Sequence, residues 1–278
     1  MHIIKNIKIL KRIVKKHKDR GENIGFVPTM GYLHKGHLSL VRIARKRCKF
    51  VVVSIFVNPT QFGPHEDLCR YPRDLKRDVA FLKKEGVDVI FYPSVRAMYP
   101  YDYKTYVKVH DMSSILCGVR RPHHFQGVTT VVLKLFNIVE PDIAVFGQKD
   151  YQQVVVIKRM VRDLNLDIKV ITGKIIREKD GLAMSSRNTY LLKKQRKHAV
   201  VLYQSLRWLK KVYHNGLTDP KKALKKIRGA IQQKGGKIDY VEALDKDTLE
   251  PVKKIKKGTL ICLAVCFGKT RLIDNTLL

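Results

Sequence analysis

Hydrophobic and polar residues alternate along the first half of the chain in the patterns of helices and buried strands. One apolar residue per helical turn over 3–14 predicts an N-terminal helix, and Gly21 separates it from the apolar run 24–27, a predicted strand. A second amphipathic stretch begins at Gly36, and the continuous apolar run 50–57 after it is typical of a buried parallel strand. The chain therefore opens with the predicted order helix, strand, helix, strand.

The same alternation continues as far as residue 172. Three further helices are predicted, over 74–85, 128–139 and 150–164. The strands predicted between and after them are 87–92, 143–146 and 168–172. The β-branched residues of 128–139 would also suit a strand, but the length of this segment and Pro141 after it favour a helix. Strands that alternate with helices indicate an α/β fold, here a Rossmann-like, doubly wound parallel sheet over residues 1–175.

The pattern changes after about residue 174. A long helix is predicted over 193–215, and Asp219-Pro220 is a good N-cap and first-turn pair for a second helix. Two or three strands follow, among them 238–244 and 259–267. Residues 176–278 are therefore predicted to form a smaller α+β domain, joined to the first domain by a short hinge near 173–178.

Composition excludes several classes of protein. The chain is 45% apolar and 29% charged, as in soluble globular proteins, and its longest apolar stretches are too short to span a bilayer. Its five cysteines are scattered without a C-x-x-C pair, which argues against a disulfide scaffold or a zinc knuckle. Residues 1–20 carry too many basic residues for the apolar region of a secretion signal. We therefore expect a cytoplasmic protein with no membrane association.

The chain carries a formal net charge of +32 at pH 7, so anionic partners must be considered. The excess is +17 over residues 1–176 and +15 over 177–278, and it is densest over 193–237, which hold 14 basic residues and one acidic residue. A basic RNA-binding protein on a degenerated enzyme fold is therefore an alternative. No aromatic stacking motif accompanies the charge, so we interpret it as a solvated surface that permits only weak, non-specific nucleic-acid binding.

The most informative polar residues lie in 28–37, which joins the first strand of the predicted sheet to a helix. Ligands of doubly wound sheets bind at the carboxyl ends of strands, and a helix N-terminus offers backbone N–H groups to phosphate. His34 and His37 are three residues apart, and Gly36 between them allows close backbone approach, so both rings could donate hydrogen bonds to one phosphoryl group. An isolated H-x-G-H string, however, more often has no ligand.

A second polar cluster falls where the strand 143–146 meets the helix that follows it. Gly147 allows close backbone approach, Lys149 offers a positive charge to phosphate, and Asp150 occupies the position of an N-cap. Gln152 and Gln153 are adjacent and face about 100° apart on a helix, so at most one of them faces a cleft. A third cluster over 184–188, in the predicted hinge, has two hydroxyls and a guanidinium that can wrap a polyphosphate, although alone it would suit an ordinary polar loop.

Together these clusters resemble those of the pantothenate synthetases, the pantoate–β-alanine ligase family of the HxGH nucleotidyltransferase superfamily. Further segments that match the family pattern are 54–62, 71–73 and 121–128. The resemblance runs in order from about Phe26 to Leu191, while the C-terminal third is compatible with the family but less diagnostic. Several segments that match in order over this range do not arise by chance. We therefore interpret this H-x-G-H as a ligand-binding motif, although an isolated one more often has no ligand.

The resemblance implies an ATP-dependent ligation in two steps. D-pantoate attacks the α-phosphorus of MgATP to give pantoyl adenylate and pyrophosphate, and the amine of β-alanine then displaces AMP to give pantothenate. It assigns catalytic roles to His34, His37 and Lys149, with His37 as the usual proton donor, and pantoate binding to Gln61, also near β-alanine, and Gln153. The ATP-binding residues that it implies are Met30, Gly31, Tyr32, Leu33, His34, Lys35, Gly36, His37, Gly147, Gln148, Lys149, Asp150, Ile176, Met184, Ser185, Ser186 and Arg187.

The resemblance also implies a homodimer, a second domain that closes over the ATP site, and Mg²⁺ that arrives with the ATP phosphates and needs no dedicated protein cage. Tyr32, Lys35 and Gln148 depart from the commonest pattern, and Tyr32 is expected to narrow the nucleotide side of the cleft. Which of His123 and His124 faces the substrates stays open. The other alternative, a different HxGH adenylyl- or nucleotidyltransferase, would leave 58–62 and 147–153 without a role.

Overall fold

The computed structural model describes residues 1–64 and 66–278, which form two units. The first unit comprises Met1–Gly147 and Gln152–Gly173, and the second comprises Gln148–Tyr151 and Lys174–Leu278. The sequence places one boundary at 175/176, whereas the structure assigns the short segment Gln148–Tyr151 to the second unit. The chain therefore enters the second unit twice.

The first unit is built on a six-stranded parallel sheet. Its strands are β1 (His2–Ile4), β2 (Ile24–Thr29), β3 (Phe50–Ile55), β4 (Val89–Phe91), β5 (Ile143–Gly147) and β6 (Lys169–Gly173). They lie in the order β1-β4-β3-β2-β5-β6, and every adjacent pair is parallel. The chain builds the sheet outward from β2 in one direction and then from β5 in the other, which confirms the doubly wound fold. In such folds ligands bind where this reversal occurs, between β2 and β5.

Helices cover both faces of this sheet. The helices of the first unit are α1 (Ile7–Lys18), α2 (Lys35–Arg45), α3 (Leu75–Lys84), α4 (Val95–Met98), α5 (Cys117–Arg120), α6 (His124–Val139) and α7 (Tyr151–Asp163). Adjacent residues of β2 face opposite layers: Phe26 packs in the core with α1, α6 and α7, and Val27 in the core with α2 and α3. Of the 16 residues of α6, 11 are buried, so its apolar β-branched sequence matches a helix enclosed by the core, as expected.

The start of the chain differs from the expectation. Residues His2–Ile4 form β1 and pair in parallel with β4, so the predicted helix over 3–14 was wrong at its beginning. The helix begins at Ile7 because Asn6 caps it: the Asn6 side chain accepts the backbone N–H of Ile9 at 3.1 Å. An Asx cap of this kind stops a helical pattern from extending into the preceding residues.

The second unit packs three helices, α8 (Lys193–Ala199), α9 (Val201–His214) and α10 (Pro220–Gln233), with an antiparallel sheet. Its strands, in the order β7-β8-β9, are β7 (Lys237–Leu244), β8 (Leu260–Phe267) and β9 (Thr270–Leu277). The helix predicted over 193–215 is divided at Val200. Asp219 caps α10 as expected and accepts the N–H groups of Lys221 and Lys222.

The basic helix α10 agrees only partly with the expected solvated face. Lys221, Lys222 and Lys225 are exposed, whereas Arg228 donates to the backbone oxygen of Val241 at 2.6 Å and to Glu242 at 3.1 Å. Arg228 therefore holds α10 against β7. No helix within 1–64 and 66–278 has the length and apolarity needed to cross a membrane.

Candidate active site

The turn after β2 has an unusual backbone. Gly31 and Tyr32 both have positive φ, at 81° and 50°, and a Cβ on Gly31 would lie only 2.9 Å from Ile55. Thr29 supports the turn, since its hydroxyl donates to the backbone oxygen of Ser54 at 2.8 Å and accepts the N–H of Gly31 at 3.1 Å. A non-glycine residue with positive φ is costly, so the turn needs contacts from elsewhere in the fold.

Asp78 of α3 supplies those contacts. Its carboxylate accepts the backbone N–H groups of Tyr32 and Leu33, each at 2.7 Å, and only 1% of the residue is exposed. Burial raises the pKa of this carboxyl, and the two backbone donors oppose that shift. The neighbouring Arg77 donates to the oxygen of Leu33 at 2.8 Å and lies 4.1 Å from the Tyr32 ring centroid. Two consecutive residues of α3 therefore contact the turn.

His34 and His37 cap the helix that follows the turn. Nδ1 of His34 accepts the N–H of Gly36 at 3.1 Å, and Nδ1 of His37 accepts the N–H of His34 at 3.3 Å. Because Nδ1 of each ring is an acceptor, the proton of each neutral ring is assigned to Nε2. The ring centroids are 4.0 Å apart, so the structure brings the two predicted histidines together at the N-terminus of α2.

Gly36 is required by the His34 ring. A Cβ on Gly36 would lie 2.8 Å from Cε1 and 2.9 Å from Nδ1 of His34. The His34 ring packs so close to the backbone of residue 36 that only glycine fits there. The sequence suggested that Gly36 allows close backbone approach, but it did not reveal that the approaching group is the His34 ring.

A cavity of about 240 Å³ adjoins the same turn. Met30, Gly31 and Tyr32 line one side, and residues after β3 and β4 line the other, among them Val57 and Tyr92. Tyr32 thus lines this cavity, and its ring also contacts the Arg77 guanidinium. Whether it narrows a nucleotide site stays a prediction.

Gln61 ends a short 3₁₀ turn, Pro59–Gln61, and its amide has two partners. Nε2 of Gln61 donates to the sulfur of Met30 at 3.1 Å, and Oε1 accepts from Nδ2 of Asn58 at 3.2 Å. Asn58 is 1% exposed, and its Oδ1 accepts the hydroxyls of Tyr99 at 2.9 Å and Thr60 at 3.0 Å. Burial raises the pKa of Tyr99 to about 12, so its hydroxyl stays a donor. Asn58 and Tyr99 therefore fix the direction of the Gln61 amide.

The backbone of Gln61 is held by Arg121, which follows α5, and by His124, the first residue of α6. Nδ1 of His124 lies 2.9 Å from the Gln61 oxygen, Arg121 donates to the same oxygen at 3.2 Å, and Arg121 also forms a two-bond ion pair with Glu66. His123 is exposed. Of the two adjacent histidines, His124 is therefore the one that contacts the Gln61 segment.

The two adjacent glutamines of α7 have different environments. Gln152 is 6% exposed and its amide binds the 112–117 loop, accepting the N–H of Cys117 and donating to the oxygens of Met112 and Ile115. Gln153 is half-buried, and no side-chain hydrogen bond joins it to another residue in the described part of the chain. That at most one of the pair faces a cleft stays a prediction.

In the second unit, Lys149 lies in the 3₁₀ turn Gln148–Asp150. Its ammonium is 3.3 Å from both carboxylate oxygens of Asp150, and 22% of the Lys149 side chain is exposed. Asp150 immediately precedes α7, the position expected for an N-cap, and its carboxylate pairs with this ammonium. The backbone oxygens of Gln148 and Lys149 accept from Asn275 at 2.9 and 3.0 Å.

The other predicted nucleotide residues of the second unit lie on a hairpin and the turn after it. Met184 donates its N–H to the oxygen of Ile176 at 3.0 Å. Ser185 caps the 3₁₀ turn Ser186–Tyr190 by accepting the N–H of Arg187 at 3.3 Å. Ser186 is 8% exposed, whereas Ser185 is partly exposed.

Sequence reasoning missed Asp78, Tyr99 and Asn275, which act through residues far away in the chain. None of them lies in a motif with a characteristic spacing, and Asp78 alone has a weak signal, as an acid in the first turn of a helix. Among residues 1–64 and 66–278 there is no group of three or more His, Cys, Asp or Glu side chains placed to hold a metal ion.

Comparisons with known proteins relate the whole chain to one enzyme family. The model of the family described as pantoate-beta-alanine ligase matches residues 2–277. A pantothenate synthetase of Acetivibrio thermocellus is 57% identical over 278 residues, covering 100% of this chain and 99% of that protein. The crystal structure of pantothenate synthetase from Thermus thermophilus superposes with a TM-score of 0.95 at 44% identity, covering 100% of this chain and 99% of that one. The crystal structure of a Francisella tularensis pantoate-beta-alanine ligase complexed with beta-gamma ATP and beta-alanine superposes with a TM-score of 0.85 at 38% identity. That match covers 100% of this chain and 97% of the other.

Proposed function

The chain belongs to the pantoate-beta-alanine ligase family, and we propose that it joins D-pantoate to β-alanine through a pantoyl-adenylate intermediate. It is an ATP-dependent pantoate–β-alanine ligase, which forms a carbon–nitrogen bond. In the first step a pantoate carboxylate oxygen bonds to the α-phosphorus, and the bond from that phosphorus to the bridging oxygen breaks to release pyrophosphate. In the second step the β-alanine nitrogen bonds to the pantoyl carbonyl carbon, AMP leaves, and the nitrogen loses a proton.

The capping geometry of His34 and His37 is the observation that carries the first step. Because Nδ1 of each ring accepts a backbone N–H, both Nε2 atoms are donors at the N-terminus of a helix, where phosphate binds well. Charge builds on the phosphoryl oxygens during transfer, so these donors and the Lys149 ammonium stabilise the transition state more than the ground state. Hydrogen-bond donation by His37 is sufficient for this role.

The substrates are assigned to the remaining residues of the two units. Gln61 and Gln153 bind pantoate, and Gln61 also lies near β-alanine; neutral amides orient the pantoate carboxylate without a salt bridge that would weaken it as a nucleophile. The residues assigned to ATP are Met30, Gly31, Tyr32, Leu33, His34, Lys35, Gly36 and His37 of the first unit with Gly147, and Gln148, Lys149, Asp150, Ile176, Met184, Ser185, Ser186 and Arg187 of the second. The fixed direction of the Gln61 amide supports this assignment.

Mg²⁺ completes the proposed site as part of MgATP. ATP phosphates and water would supply most ligands of this hard cation. Mg²⁺ held by those phosphates would supply positive charge that offsets the charge of the leaving pyrophosphate. We further propose a cytoplasmic homodimer, as the family resemblance implies.

The test is the release of pyrophosphate and AMP by purified protein supplied with MgATP, D-pantoate and β-alanine, each omitted in turn. We expect pyrophosphate to require pantoate, AMP to require β-alanine as well, and both to fall at least a hundredfold in His37→Ala. His110→Ala, which removes an exposed histidine of the same unit, is the matched control. Pyrophosphate release without pantoate would indicate another HxGH nucleotidyltransferase. No turnover together with tight RNA binding would instead indicate the degenerated enzyme.

A further inference from the structure

Two adjacent residues near the end of the chain are buried and polar. Asp274 and Asn275 of β9 are each 2% exposed, although β9 is an edge strand of the three-stranded sheet. Buried polar side chains are retained where they make specific hydrogen bonds. Their partners lie in two segments that the proposed function assigns to ATP or to its immediate neighbourhood.

Asn275 has a partner for every polar atom of its amide. Nδ2 donates to the backbone oxygens of Gln148 and Lys149, at 2.9 and 3.0 Å, and Oδ1 accepts from Nε2 of Gln148 at 3.2 Å. Backbone oxygens are acceptors only, so the contact with two of them fixes which end of the amide faces the turn. A single 3₁₀ turn has poor internal hydrogen bonds, and these three contacts therefore determine its conformation.

Asp274 fixes the strand at the same point. Its carboxylate accepts from both terminal nitrogens of Arg177, at 2.6 and 2.9 Å, and from the backbone N–H of Asn275 at 2.8 Å. Arg177 also donates to the oxygen of Gly181 at 3.0 Å, and its guanidinium lies 4.3 Å from the Tyr203 ring centroid. A buried, two-bond ion pair of this kind is directional, so the backbone from which Asn275 extends is held in place.

We propose that Asn275 is a positioning residue for Lys149, which sets the place of the ammonium that stabilises the transferring phosphoryl group. This inference rests on the proposed function, in which Lys149 acts on ATP. The Lys149 side chain is long and has many rotamers, so its place in the transition state depends on a fixed starting backbone. Asn275 supplies that fixed backbone from a residue 126 positions further along the chain.

The test measures steady-state pyrophosphate release with saturating pantoate and β-alanine while MgATP is varied, for four proteins: the unchanged chain, Asn275→Ala, Lys149→Ala and the double variant. We expect Asn275→Ala to lower kcat at least tenfold with a smaller change in KM for ATP. In the Lys149→Ala background the same substitution should cost less than threefold, because the residue through which it acts is gone. Thr276→Val, a buried change on the same strand, is the matched control and should stay within twofold.

A second readout separates positioning from a general loss of structure. When pantoyl adenylate is supplied, release of AMP by β-alanine bypasses the step in which Lys149 acts, and Asn275→Ala should retain most of that activity. If Asn275→Ala does not fold, Asn275→Ser, which keeps one hydroxyl donor, replaces it in the same cycle. The inference would be overturned if Asn275→Ala lowered kcat by the same factor in the unchanged chain and in the Lys149→Ala background. It would also be overturned if a folded Asn275→Ala variant lost no activity. Full activity of Lys149→Ala would instead contradict the proposed function of Lys149.

Discussion

Asp78 accepts the backbone N–H of Leu33 at 2.7 Å, although 45 residues separate them in the chain. The same carboxylate accepts the N–H of Tyr32, which has positive φ, immediately before the two histidines. The conformation of the histidine segment is therefore determined from a different helix.

Asp78→Ala is expected to lower both stability and activity. It leaves two buried N–H groups without an acceptor, at a cost of about 1–3 kcal/mol each, and should lower kcat at least tenfold as the turn relaxes. Lys76→Ala on the same helix is the control, because Lys76 is exposed and does not line the cavity, and it should leave kcat within twofold. Thermal melting and pyrophosphate release check both values, and equal activity of the two variants would argue against a role for Asp78.

Gly36→Ala should separate stability from catalysis. In an exposed helix alanine is favoured over glycine by about 0.5–1 kcal/mol, but here the new Cβ would displace the His34 ring from its cap. We expect kcat to fall at least tenfold while the melting temperature changes little. Gly229→Ala in α10, where nothing lies within 4 Å of the new Cβ, should raise stability and leave kcat unchanged. A fully active Gly36→Ala would show that the capped His34 ring is dispensable.

Tyr99→Phe is expected to weaken pantoate binding. It removes the hydroxyl that donates to Asn58, which in turn orients the Gln61 amide, so KM for pantoate should rise several-fold with a smaller effect on KM for ATP. Tyr101→Phe is the matched control because Tyr101 is fully exposed. Steady-state kinetics with each substrate varied in turn measures the split, and equal changes in both KM values would not fit this role.

The Glu66–Arg121 pair should make stability depend on pH. Burial raises the pKa of Glu66, but the hydrogen bonds and charge of Arg121 outweigh it and lower the pKa overall. A carboxyl with a lowered pKa in the folded state stabilises the fold above its unfolded pKa of about 4.3. That contribution is lost as the pH falls through the lower, folded value. The unchanged chain should therefore have a higher melting temperature than Glu66→Gln at pH 7, and the difference should shrink as the pH falls below about 4.3.

Binding to RNA should be weak and sensitive to salt. The exposed lysines of α10 offer charge without aromatic stacking, so affinity comes from counterion release and falls steeply as salt rises. We expect retention on immobilised RNA at about 50 mM salt and release by about 200 mM. Retention that persists at the higher concentration would indicate a specific nucleic-acid site.

Periodicity and turn residues were enough to predict most elements of both units. The apolar runs of β2 and β3 and the buried α6 appear in the sequence because one or both faces of each element meet the core. The boundaries were less accurate where a single side chain decides them, as Asn6 does for α1. Periodicity does not distinguish a cap from the first turn that it precedes.

The candidate site was predicted only as far as its local motifs extend. His34, Gly36 and Lys149 stand in short segments whose residue types match their chemistry. Asp78 and Asn275, which hold those segments in place, are single polar residues in unrelated elements, and only the folded chain brings them there. Residues that lie so far apart in the chain form no short motif, so their contacts could not be recognised from a single sequence.

The assignment of Gln148–Tyr151 to the second unit limits how this protein can be divided. A fragment that begins at Lys174 lacks the turn that Asn275 binds, and a fragment that ends at Gly173 retains that turn without its partner. No single cut yields two self-sufficient pieces. Recombination that exchanges one unit for a homologous one at a single crossover would therefore separate the lysine from its support, so the two units are expected to be inherited together.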